Sequence, residues 1–172
     1  MIRPFLLLAI FAAAGCAQPP PMLRDVDQTL PERVELTETP FFPQEDYQCG
    51  PAALATVLNA SGAIMTPDEL VNEVYLPGRQ GSLQPELIAA TRTHGRLPYL
   101  PGPRLDDLVA EVAAGRPVLV LENRLLESWP RWHYAVVIGY DRPKEQLILR
   151  SGTTEREIVS TKKFQRRWAL DD

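Results

Sequence analysis

The main change in the hydrophobic period of the chain falls near residue 116, and that change sets the fold class. Ahead of it, apolar residues recur at helical spacing; beyond it they run on or alternate, as in strands. Four helices are predicted first. Leu54, Val57 and Leu58 stand at i, i+3 and i+4 in a helix over residues 50–60, with Pro51 in its first turn and Gly62 past its end. Thr66-Pro67-Asp68-Glu69 reads as a capping box opening a second helix to residue 74. A third occupies "QPELIAATRTHG", and a fourth "LDDLVAEVAAG", closed by Gly115. The strands follow. "PVLVLE" (117–122) and "HYAVVIGYD" (133–141) are buried, and a turn at 142–145 returns the chain into "QLILRS". "REIVS" adds another, and Thr161 caps a last helix with Phe164 and Trp168 at i, i+4. Val34 and Leu36 alternate with polar residues, as a short edge strand would. Helices first and an antiparallel sheet second make the chain α+β.

The N-terminus reads as targeting rather than fold. Arg3 is a short positive region, and residues 5–14 are apolar: too short to span a bilayer, and the right length for the core of a signal peptide. The stretch ends in Ala13-Ala14-Gly15-Cys16, which looks like a bacterial lipobox. An ordinary secretory signal is the alternative, but a cysteine directly after Ala-Gly favours lipidation. Ala17, not Asp, follows Cys16, the pattern of outer-membrane rather than inner-membrane lipoproteins that this segment resembles. The expected organisation is a signal peptide (1–15), a lipidated Cys16 with a Pro-rich tether (16–37), and one domain (38–172), facing the periplasm. With a net charge of −4 and no basic stripe, nucleic acid is not an expected partner.

The chain has two cysteines, so lipid on Cys16 would leave Cys49 without a disulfide partner. Cys49 stands where a loop becomes a helix. There the helix dipole favours thiolate, and free amides can donate to an oxyanion. The competing role is a small buried hydrophobe. Of the two histidines, His94 falls in the last turn of a helix, where an imidazolium answers the dipole. His133 opens an apolar strand, at a position suited to a general base, or to a core histidine with satisfied hydrogen bonds. Gln44 lies five residues before Cys49 and is either an oxyanion donor or a solvated loop amide. Trp129 and Trp132, just before His133, could wall a substrate cleft, but aromatics there are more often core or loop anchors. Thiol chemistry requires no metal or cofactor, and two distant histidines suggest none.

Taken together, "QEDYQCGPAALATVL" and "WHYAVVIGYD" resemble the peptidase domain of bacteriocin-processing transporters, a papain-like cysteine peptidase family acting on double-glycine leaders. Cys49 and His133 are separated by 84 residues, in the family's order, and the likeness covers roughly residues 38–160. The resemblance implies Cys49 as nucleophile, His133 as base and Gln44 as oxyanion donor, with a peptide or protein as substrate. The chain carries neither a transmembrane run nor a GxxxxGK[ST] motif, so coupling to export is not implied; it is similar to free-standing, secreted members.

One part departs from the family. The strand after the His strand should carry an Asp, and here it reads Leu149-Arg150-Ser151-Gly152. Asp141 lies eight steps along the strand from His133, about 26 Å at ~3.3 Å per residue, and Glu145 in the turn is excluded on the same ground. Ser151, Thr153, a backbone carbonyl or Asn123 is expected to receive the ring instead. Three functions share these residues: peptide hydrolysis, acyl transfer to an amine, and peptide binding without turnover.

Overall fold

A computed structural model of the chain describes residues 22–44, 48–125 and 128–168. Cys16 and the whole signal segment lie outside the described residues. The elements follow the order β1 (Arg33–Glu35), α1 (Cys49–Ala60), α2 (Pro67–Val74), α3 (Gln84–Thr93), α4 (Leu105–Ala113), β2 (Val118–Asn123), β3 (Trp132–Asp141), β4 (Gln146–Ser151), β5 (Thr154–Ser160) and α5 (Thr161–Arg167). Among the described residues no helix is long and apolar enough to cross a membrane.

The sheet is antiparallel and centred on β3. β4 and then β5 follow along one edge of it. The other edge is shared, β2 pairing with residues 132–137 and β1 with residues 139–141. Alternation along β3 divides two cores. Tyr134, Val136 and Ile138 pack against Leu54 and Leu58 of α1, Leu70 of α2 and Leu87 of α3. Ala135 and Val137 face Leu108 and Val112 of α4 and Phe164 of α5. The long apolar run of β3 thus reflects burial on both faces. A register shift falls between Val137 and Gly139, where a side chain would strike the β1 backbone: a Cβ on Gly139 would lie 2.5 Å from the Val34 carbonyl.

Local chemistry matches several helix boundaries. Thr66 and Glu69 form the capping box of α2, the Thr66 N–H donating to Glu69 Oε2 at 2.7 Å. α5 is capped by Ser160 rather than Thr161. The Ser160 hydroxyl accepts from the Lys163 N–H, while Thr161 is turned inward and fully buried, its own N–H donating to the Glu145 carbonyl.

Residues 22–36, read from the sequence as part of the tether, are packed into the body. Leu23 and Val26 are buried in the α4–α5 core, each such side chain contributing roughly 1.5–3 kcal/mol of apolar burial. Glu145 accepts from the N–H groups of Leu23 and Arg24, and the buried Arg142 donates to the carbonyls of Asp27 and Leu30. Arg150, 8 % exposed, holds the next stretch through the carbonyls of Thr37 and Thr39. Proline content signalled an extended chain there; it could not signal that Leu23 and Val26 reach the core.

Candidate functional site

His133 is the second residue of β3 and is placed by β2 on one side and β4 on the other. Its cross-strand partner is Glu122. On the β4 side the antiparallel pairing carries the end of β4 back toward the start of β3, and His133 Nε2 meets Ser151 Oγ at 3.2 Å. The expected neutral neighbour is therefore at the ring. Asn123, another of the candidates, uses its Oδ1 to accept from the N–H groups of Leu125 and Arg131 and shapes the β2–β3 connection. Asp141 sits at the far end of β3, paired with Arg33, and Glu145 binds the amides of Leu23 and Arg24.

Three charged residues that the sequence reading passed over surround this pair. Arg124 Nη2 donates to Ser151 Oγ at 2.5 Å and to Glu157 Oε2 at 2.9 Å. Its Nε stands 3.8 Å from Glu122 Oε2. Glu122 is 1 % exposed, and desolvation pushes its carboxyl up from the ordinary range against the pull of Arg124. A signal for it was present: in "VLVLE", Glu122 falls two places after Val120 and so shares its inward face. Arg124 and Glu157 come from a connection and from a polar strand, where charge is ordinary, and nothing in their local sequence marked them. Burial and then Arg124 push the His133 pKa down to about 4, with Arg131 and Arg167 adding to the effect and Glu157 opposing it. The imidazole is thus neutral at neutral pH.

Cys49 is the first residue of α1 and is half-buried. It packs against the α1–α3 core, and its thiol makes no hydrogen bond to a described residue, His133 included. Burial, then proximity to Cys49, then Glu86 push the Tyr134 phenol up to about 12. Cys49 and Tyr134, the residue that follows His133, belong to the same core cluster. Gly50 explains the Cys-Gly pair. A Cβ there would lie 2.1 Å from Ser82 Oγ, so only glycine lets the start of α1 approach the segment before α3. Ser82 Oγ and Glu86 Oε2 are both buried without a hydrogen-bond partner.

Gln44 joins the two halves. Its N–H donates to the Gly152 carbonyl at 3.0 Å, and its Nε2 points to the Tyr134 carbonyl at 3.4 Å. Both anchors are chain neighbours of site residues, of Ser151 and of His133. The segment leading into Cys49 is consequently fastened at the end of the sheet where His133 stands. One of the two Nε2 protons is used at Tyr134, which leaves the second for another acceptor.

The structure brings His133, Ser151 and the Gln44 anchor together and sets the start of α1 beside Tyr134. The thiol belongs to the α1 face of the sheet, whereas alternation along β3 puts His133 on the face of Ala135. Trp129 and Trp132, expected to be core or loop anchors, are exposed, as is Leu125. His94 ends α3 and pairs with Glu73 at 3.0 Å, away from the site. Among the described residues no group of His, Cys, Asp and Glu could hold a metal ion.

An apolar groove of about 740 Å³ lies between α1, α3, the 96–103 segment and β2, and Tyr134 lines it. Leu54, Leu87, Ile88, Leu97 and Leu121 form much of its wall. Leu97 and Tyr99 on its rim are largely exposed.

A family model described as "Peptidase_C39 like family" matches residues 36–171. Three solved structures share the fold. A C39-like peptidase from Bacillus anthracis aligns at TM-score 0.65 with 22 % identity, covering 80 % of this chain and 92 % of that one. The peptidase domain of Streptococcus ComA, a bifunctional ABC transporter of a quorum-sensing pathway, aligns at 0.60 with 22 % identity, covering 77 % and 93 %. A double-glycine-motif protease from an AMS/PCAT transporter, in complex with its leader peptide, aligns at 0.57 with 19 % identity, covering 77 % and 87 %. No curated protein matches the sequence. The helices packed on a curled antiparallel sheet are thus the papain-like fold of C39 peptidases.

Proposed function

Because the chain belongs to the Peptidase_C39 like family, we propose that it is a cysteine peptidase that hydrolyses peptide bonds at Cys49 with His133 as general base. The observation that carries this reading is the His133 ring: Nε2 is taken by Ser151, leaving Nδ1 as the nitrogen available to a thiol. The pKa of about 4 supports it further, since a base must be unprotonated before it acts.

In the forward step the Cys49 thiol loses its proton to His133 Nδ1 as Sγ attacks the scissile carbonyl carbon. The C=O π pair moves onto oxygen, where the second Nε2 proton of Gln44 and the Cys49 N–H at the start of α1 stabilise it. Collapse expels the amine, which takes the proton from His133, and leaves a thioester on Cys49. Water then attacks the thioester, gives a proton to His133, and the carboxylic acid departs as the thiol is restored. Burial, and then the guanidinium of Arg124, disfavour an imidazolium. The imidazole therefore rests neutral and accepts the thiol proton as attack proceeds.

The substrate is a peptide with apolar side chains, received along the groove that Tyr134 lines. The leader peptide bound by the AMS/PCAT protease supports peptide recognition on this fold. The protein is further proposed to be lipidated on Cys16, anchored at the outer membrane and turned to the periplasm, on the strength of Ala13-Ala14-Gly15-Cys16. The test is turnover of an apolar-rich peptide library by purified protein, with cleavage products identified by mass. Cleavage lost in both Cys49→Ala and His133→Ala supports the reading. Peptide bound without cleavage by the unaltered protein would replace it with a binding module.

A further inference from the structure

Arg124 follows β2 directly, and its backbone N–H donates to the Arg131 carbonyl at 2.9 Å, closing the β2–β3 connection. From there the side chain reaches residues of three strands. It binds Glu157 on β5, Ser151 on β4 and faces Glu122 on β2. Glu157 fixes the guanidinium plane, and the same Nη2 then directs a proton at Ser151 Oγ, the atom that faces His133. We propose that Arg124 is a positioning residue for His133: held by Glu157, it sets the Ser151 hydroxyl against the imidazole and takes the orienting place that the family gives to an acid. The proposal rests on His133 being the general base.

Valence explains why the fork matters. A hydroxyl has two lone pairs and one proton, and arginine can only donate. With one lone pair of Ser151 taken by Arg124, the ring can be met by the other lone pair or by the hydroxyl proton. A base acting through Nδ1 requires the first arrangement, Nε2–H donating to Oγ. Without Arg124 the Ser151 side chain can leave this rotamer, and the ring loses its partner. A lysine would keep the charge but not the planar fork.

Charges reach His133 from every element around it. Arg124 and Arg131 come from the β2–β3 connection, Glu157 from β5 and Arg167 from α5, and Glu122 on β2 is the cross-strand partner of His133. Arg124 opposes the imidazolium and Glu157 favours it. The two members of the ion pair therefore act on the ring with opposite sign.

The experiment is nitrogen-detected NMR of the imidazoles in the full chain. Only His94 and His133 are present, so His94→Asn assigns them. In the unaltered protein His133 should carry its proton on Nε2. Arg124→Gln should weaken that tautomer preference and raise the titration toward 6.5, the ordinary value, whereas Glu157→Gln should lower it. Arg124→Lys should leave the titration close to that of the unaltered protein yet lose the tautomer preference. Its turnover should fall about 10- to 100-fold with little change in KM, the size expected for one hydrogen bond from a charged donor. A tautomer ratio unchanged in both folded Arg124 variants would overturn the proposal, as would Arg124→Gln and Glu157→Gln moving the titration the same way. Failure of the peptidase reading would show separately, as an unaltered protein without turnover, and the NMR result would still decide whether Arg124 sets the ring.

Discussion

His133 turns Nε2 to the hydroxyl of Ser151, 3.2 Å away on the neighbouring strand. Ser151 is 2 % exposed and also accepts from Arg124, so its hydroxyl has a geometry set on both sides. Ser151→Ala should leave the fold in place while withdrawing about 1–3 kcal/mol, because the Arg124 N–H loses its buried acceptor. Turnover should fall with KM nearly unchanged, since orientation acts on the chemical step. Ser151→Asp should hold or raise activity by supplying a carboxylate to both Arg124 and the ring. Steady-state kinetics beside a urea melt separate the two effects.

The depressed His133 pKa fixes a pH window. An imidazole of pKa about 4 is a competent base down to that pH, so the acid limb of kcat/KM should fall near pH 4 and not near the ordinary 6.5. The sign for stability follows from the same value. Protonation is easier in the unfolded chain, so His133 contributes stability that is full above 6.5 and is lost as pH falls from 6.5 toward 4. A kinetic pH profile, with urea melts of the unaltered protein and His133→Asn across that window, checks both.

Gly50 should tolerate no side chain. Gly50→Ala sets a Cβ 2.1 Å from Ser82 Oγ and 2.5 Å from Ser82 Cβ, an overpacking expected to withdraw about 1–3 kcal/mol. Ser82→Gly removes both atoms, so the double variant should recover part of the loss. Chemical denaturation of the two single variants and the double variant measures the coupling.

The N-terminal arm belongs to the folded body. Leu23→Ala should destabilise the protein by about 2–5 kcal/mol, and a chain starting at residue 38 should lose the cap contacts of Glu145 and the carbonyl partners of Arg142. A chain starting at residue 22 should melt like the full-length protein. Thermal denaturation of the two truncations tells them apart.

The sequence was most legible where one residue type has one physical reading. The helix-to-strand change of period, the Thr66–Glu69 box and the β3–β4 hairpin are such cases, and all are in the structure. The hairpin also made Ser151 legible, because antiparallel pairing carries it back beside His133. Arg124 and Glu157 were not, because an exposed-strand acid and a post-strand arginine are ordinary until β2, β4 and β5 bring them to one hydroxyl. Leu23 and Val26 failed to stand out for a similar reason. Two apolar residues in a proline-rich stretch carry no periodicity, and their place in the α4–α5 core, with the ties of Arg142 and Glu145 to the same segment, is visible only in the fold.

The most direct test is to trap the thioester. Unaltered protein, mixed with a cleavable peptide and quenched in acid within the first turnover, should show by intact mass one acyl adduct, which peptide mapping places on Cys49. Cys49→Ala should show no adduct and no cleavage, and His133→Ala should form it far more slowly. Cleavage that persists in Cys49→Ala, or turnover in the unaltered protein with no adduct on Cys49 at any quench time, would contradict a cysteine peptidase built on Cys49 and His133.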